Sequence, residues 1–193
     1  MIHGHVAFES LLERDWLMWA DYRAAELVAF SSQPLALLWP RGTQGSKSHV
    51  PDFFARRVER DGLLVDVCAP VALEKPARQR QMNLTRAACD EVGWGYEVFT
   101  GLEAEGFSLT RATNLRWLAG FRHDRYALPA SDEQAVVDVF RGGVPLDVGI
   151  IRAAKATGWN KTVAHAGILN LLWRQRLCAD LDAPLSMRTE VTA

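Results

Sequence analysis

The sequence predicts an α/β fold, with a mixed sheet flanked by helices in the first hundred residues and a mainly helical part after it. Three observations predict this. Residues 50–56 and 63–68 read as two strands joined by a polar turn containing Asp61-Gly62. A helical segment at about 77–92 separates them from a further strand at 96–99, the order of a crossover connection. Beyond residue 101 extended segments give way to helical spacing with caps.

Each element has a local reason. Phe8, Leu11, Leu12, Trp16 and Trp19 recur at steps of three and four, which predicts an amphipathic helix over 8–22 with Glu9 and Glu13 on another face. Residues 26–39 read as extended, ended by Pro40 and Gly42, and 42–48 as a loop. Pro70 closes the second strand of the pair, and Gly93 sits where a helix C-cap glycine belongs. A segment over 110–123 opens the helical part. Ser131 and Gln134 have capping-box spacing, predicting a helix through Phe140. Pro145 suits the first turn of a helix ending at Gly158, and Asn160 suits the N-cap of another reaching about Arg176. Two extended pieces, 177–181 and 184–188, then form a hairpin, so this part has the order of a winged-helix module, with 189–193 frayed. The expected domains are 1–104 and 105–193.

Composition narrows the function classes. The 193 residues, 49% hydrophobic and 23% charged, suit a soluble globular protein with one well-buried core or two small ones. Formal net charge is -1, with 11 basic and 13 acidic residues up to position 100 and 11 and 10 after it. Bulk charge therefore supplies no phosphate binding, and any nucleic-acid contact depends on clusters such as Arg56, Arg57 and Arg60 or Lys75, Arg78, Arg80 and Arg86. Cys68, Cys89 and Cys178 lack paired spacing, against a disulfide framework or a structural zinc site. No basic region leads into an apolar run at the N-terminus, and no segment approaches the roughly 18 apolar residues of a membrane span. The expectation is a cytoplasmic protein with no membrane association.

The chemistry concentrates at Asp52 and Asp66. A register that sets the two side by side gathers acidic oxygens at one sheet edge, and such hard ligands hold magnesium or manganese for phosphodiester hydrolysis. Asp66 lies inside Leu63-Leu-Val-Asp-Val, where an unpaired buried carboxylate is costly and so needs a purpose. Glu13 is a candidate third ligand, with Glu9 as its competitor. Cys68 reads as a small buried residue, His49 as a flank or DNA contact pointing away from Asp52, and His3 and His5 as a mobile terminus. In the second part Lys161, Thr162 and His165 open the third helix, the position that enters the major groove in helix-turn-helix proteins, so they are candidate DNA contacts. A helical module used for protein contact is the equal alternative. Trp173 and Leu169 to Leu172 fall where that helix must bury itself.

Five segments carry a resemblance: Ser10-Leu-Leu-Glu13, Phe30-Ser-Ser-Gln33-Pro34, His49-Val-Pro-Asp52-Phe-Phe, Leu64-Val-Asp66-Val-Cys68-Ala-Pro70 and Val92-Gly-Trp94-Gly-Tyr96-Glu-Val. In order and spacing the chain resembles the TnsA-like endonuclease subunits of heteromeric transposases, members of the PD-(D/E)xK nuclease superfamily. The resemblance implies a restriction-endonuclease-like sheet followed by a winged-helix-like domain for partner or DNA contact. It implies Mg2+-dependent (or Mn2+-dependent) cutting of one DNA strand at transposon ends, alongside a DDE-type transposase subunit and an ATPase regulator. Carried over, the metal ligands are Glu13, Asp52 and Asp66. The family's lysine falls on Cys68, whose thiol supplies no positive charge. Lys75, or alternatively Arg78, then reaches back from the next helix as the catalytic cation, or the subunit binds metal and DNA without cutting efficiently. A restriction or repair nuclease is a further alternative.

Overall fold

Strands form where the apolar pattern puts them, and their pairing brings the two aspartates near each other. β1 (Leu27–Ser32), β4 (Phe53–Arg57), β5 (Gly62–Val67) and β6 (Gly95–Phe99) make a sheet in the order β1-β4-β5-β6, after two short paired strands, β2 (Leu37–Leu38) and β3 (Ser48–His49), are set aside. β1, β4 and β5 are antiparallel neighbours and β6 runs parallel to β5, so the sheet is mixed. Phe53 pairs with Val65, and Asp52, just ahead of β4, reaches the far end of β5 by accepting the Val67 N–H. Gly62 is required here, since a Cβ at that position would stand 2.6 Å from the Phe54 ring and 2.8 Å from that of Trp94.

One face of the sheet packs on α1 (Leu11–Tyr22), where Trp16 stacks on Phe53 with ring centroids 4.7 Å apart and donates its indole N–H to Glu97 Oε1 at 3.2 Å. The other face receives α3 (Pro76–Glu91), which follows a single turn, α2 (Pro70–Leu73), and buries Thr85 and Cys89. The helix α3 makes the parallel crossover from β5 to β6 that the strand–helix–strand order predicts. Gly93, at φ +70, follows its C-cap.

The helical part holds α4 (Leu109–Leu118), α5 (Ala130–Val139), α6 (Leu146–Thr157) and α7 (Lys161–Trp173), with a three-stranded sheet of β7 (Val144–Pro145), β9 (Glu190–Thr192) and β8 (Cys178–Ala179) in that order. Leu115, Phe140, Ile168, Leu169 and Leu171 fill its core, and Trp173 is buried, as the position of α7 requires. Asn160 caps α7 by accepting the Val163 N–H at 3.0 Å. The chain divides into two compact units, Met1–Phe107 and Ser108–Ala193, against an expected division at 104.

Several expectations need correction. α1 starts at Leu11 because Ser10 caps it, leaving Phe8 and Leu11 largely exposed. Ser131 caps nothing, since α5 begins at Ala130 behind Pro129 and the Ser131 hydroxyl lies inside the helix. The hairpin pairs residues 178–179 with 190–192, not with 184–188, and the tail is no frayed end: Val191 is fully buried in the central strand of the small sheet. The structure describes residues 6–23, 27–40, 48–58, 61–101 and 107–193, so His3, His5, Arg60 and most of the expected loop at 42–48 lie outside the described residues.

Candidate active site

Asp52 sits between Pro51 and the start of β4, and three backbone constraints aim it. Its carbonyl accepts the Gln33 N–H at 2.8 Å, its carboxylate Oδ2 accepts the Val67 N–H at 2.6 Å, and Gln33 turns the chain at φ +44, a left-handed value uncommon for a side-chain-bearing residue. Burial and then the neighbouring charges of Asp66 and Glu13 push the Asp52 carboxyl above the usual aspartate range, against the opposing pull of the Val67 N–H and Arg78. Glu13 therefore stands within electrostatic reach of Asp52. Its own geometry is set by capping: Ser10 Oγ accepts the Glu13 N–H at 3.1 Å, and Glu13 Oε2 accepts the Glu9 N–H at 2.8 Å. The sequence signal for this was Ser-x-x-Glu at the helix start.

An open cleft of about 330 Å³ is lined by Ala7, Glu9, Glu13, Ser32, Gln33 and Asp52. Glu9 and Glu13 both face it, the former held by Gln33 Nε2 at 2.9 Å. The competition between the two glutamates thus resolves into shared lining.

Asp66 occupies a different setting. It has no solvent exposure, and it is satisfied entirely from within. His49 Nε2 lies 2.8 Å from its Oδ1 and 3.0 Å from Oδ2, the Tyr96 hydroxyl donates to Oδ2, and Arg78 Nη2 is 3.7 Å from Oδ1. Burial, together with the Asp66 charge and hydrogen bond, pushes the Tyr96 hydroxyl far up, so it remains a donor. The expectation that His49 points away assumed one strand through residues 49–52. In fact His49 ends β3, residues 50–52 break the strand, and the imidazole turns onto Asp66 at 7% exposure.

Of the two candidate cations, Arg78 is the one that stands beside Asp66. Lys75 is exposed at the N-cap of α3, whereas Arg78 approaches Asp66, bears electrostatically on the Cys68 thiol and donates to Gln81 Oε1 at 2.8 Å. Burial pushes the half-buried Cys68 thiol up, partly offset by Arg78, so it stays neutral and is no soft ligand in waiting.

The donor set fits a divalent cation in part. Asp52 and Glu13 each have one carboxylate oxygen engaged and a second oxygen with no hydrogen bond among the described residues, in a cleft of hard oxygens. Both Asp66 oxygens are engaged by His49 and Tyr96, and no group of three His, Cys, Asp or Glu residues stands in metal-holding proximity among the described residues.

In the second unit Lys161 and Thr162 are exposed at the first turn of α7, where Thr162 borders a cleft with Arg125, Tyr126 and Trp159. His165 stands by the Trp117 ring, its Nε2 buried without a partner among the described residues, and burial lowers its pKa. Among the described residues no helix is long and apolar enough to cross a membrane. No known protein family matches this chain, and no curated protein matches it.

Proposed function

We propose that the chain is the metal-dependent DNA endonuclease subunit of a heteromeric transposase, cutting one strand at a transposon end beside a DDE-type transposase subunit and an ATPase regulator. The observation that carries this reading is the approach of Asp52, just ahead of β4, to Asp66 on β5: Asp52 accepts the N–H of Val67, next to Asp66, and the charges of Asp66 and Glu13 both raise its carboxyl. Such concentrated negative charge is electrostatically unfavourable unless a cation or proton offsets it. Asp52 and Glu13 would hold Mg2+ or Mn2+, which supplies an activated water and charge stabilisation at the scissile phosphate when bound. Arg78 takes the place of the motif lysine, its guanidinium oriented by Asp66 and Gln81. Lys161 and Thr162, on a winged-helix-like second domain, contact DNA or a partner.

Nicking of a supercoiled plasmid bearing transposon ends, with Mg2+ or Mn2+ and the partner subunits present, tests the reading. Asp52→Ala is expected to lower the rate by at least about 100-fold; a rate unchanged in Asp52→Ala removes the site. A second reading, an assembly or DNA-binding subunit without efficient cleavage, draws on the saturation of Asp66 by His49 and Tyr96. It predicts partner binding without nicking, and binding that survives Asp66→Ala.

A further inference from the structure

We propose that one flank of α3 is the track for the phosphate backbone of a DNA strand, with Arg78 as its fixed point and Arg86 as its second contact. This rests on the reading of DNA as substrate and names the surface that holds it. Between Lys75 and Cys89 the chain carries four cations, Lys75, Arg78, Arg80 and Arg86, and no acidic residue. Helical geometry sorts them. At about 100° per residue Arg86 falls about 80° from Arg78, on the same flank, whereas Arg80 falls about 160° away on the far side. Thr85 and Cys89, both buried, mark the line by which the helix meets the sheet, and Arg78 projects from that line to the rim.

Both arginines flank one residue of β6. Arg78 and Arg86 each bear electrostatically on the Tyr96 hydroxyl, and the Arg86 guanidinium lies 5.5 Å from the centroid of the Tyr96 ring. Arg78 is held by Asp66 and Gln81 with its side chain 21% exposed, so part of a pre-oriented guanidinium faces solvent. Arg86 is exposed and donates to Asn83 Oδ1 at 3.5 Å. Eight residues of helix separate the two by about 12 Å along the axis, a span that reaches more than one phosphate of a strand with one phosphate per roughly 3.4 Å of duplex axis. The planar fork of a guanidinium suits phosphate oxygens.

Binding of a fluorescent DNA duplex by the full-length chain in EDTA, followed by anisotropy across a salt series, tests the track apart from cleavage. Arg86→Ala, an exposed change that spares the core, is expected to weaken binding about 3- to 10-fold and to reduce the salt slope by about one. Arg78→Ala is expected to do at least as much, and Arg80→Ala to leave affinity and slope at wild-type values. Wild-type affinity and slope in both Arg78→Ala and Arg86→Ala, or equal losses in Arg80→Ala, overturn the track while leaving DNA as substrate. A wild-type chain that binds no DNA overturns it outright. Loss of binding in the two variants, with no nicking by the wild type in Mg2+, upholds the track and removes the cleavage reading instead.

Discussion

Asp66 is a carboxylate without solvent, and its neighbours explain how the fold tolerates it. His49, Tyr96 and Arg78 together satisfy both oxygens, so the charge is buried but compensated. Removing one donor exposes the cost: His49→Ala is expected to destabilise the first unit by about 1–3 kcal/mol, measured by urea unfolding, with Tyr96→Phe showing a smaller loss. Asp52 behaves oppositely. Its carboxyl is raised, so between the ordinary aspartate value near 3.8 and its higher folded value the native state binds more proton than the unfolded chain. Stability from this group therefore declines as pH rises through that window, and at neutral pH the ionised form is a net burden. Asp52→Asn keeps an oxygen for the Val67 N–H and removes the charge, so its melting temperature at pH 7 should exceed that of the wild type by a degree or more, an advantage that shrinks on acidification. A lower melting temperature across that range contradicts the assignment. The importance of Asp66 was legible from its apolar flanks. The role of His49 was not, because it depends on the interruption of the strand at residues 50–52, which no local pattern announces.

At the scale of elements, the sequence was readable where a single helix turn or strand carries its own signal. Asn160 caps α7, Gly158 ends α6 at φ +76, and the β5–α3–β6 crossover follows from strand–helix–strand order. It was unreadable where a distant segment decides. β9 is short and lies at the tail, yet it becomes the middle of a sheet because Val191 finds a buried place between β7 and β8. Asn114 does comparable work on α4. Its amide donates to the carbonyls of Leu181 and Ala183, each at 2.8 Å, and its oxygen accepts the Leu185 N–H at 3.2 Å, so one side chain replaces strand pairing across an irregular segment. Asn114→Ala leaves those backbone groups without partners and should cost about 2–3 kcal/mol in chemical denaturation, whereas a loss below about 0.5 kcal/mol means that water replaces the amide.

Across the whole molecule, two units each carry an apolar centre of their own, Trp16, Phe53 and Phe99 in the first and Leu115, Phe140 and Ile168 in the second. Charge is divided between them as well: residues 1–107 hold 11 basic and 15 acidic side chains, residues 108–193 hold 11 and 8. An acidic unit that nonetheless gathers Arg78 and Arg86 on one flank of α3, ahead of Asp90, requires local arrangement, which is why composition alone pointed away from nucleic acid and the helical sorting of α3 points toward it. Separate cores also predict separate stabilities, since a unit that buries its own apolar surface unfolds as its own cooperative step. Hydrogen exchange on Asn114→Ala tests this. Faster exchange should be confined to amides within 108–193, with β4 and β5 exchanging at wild-type rates, because the lost hydrogen bonds all lie within the second unit. Acceleration of equal size in β4 and β5 would mean that the two cores melt together, and stability measured for any variant of the acidic cleft would then report on the whole chain rather than on the unit that carries it.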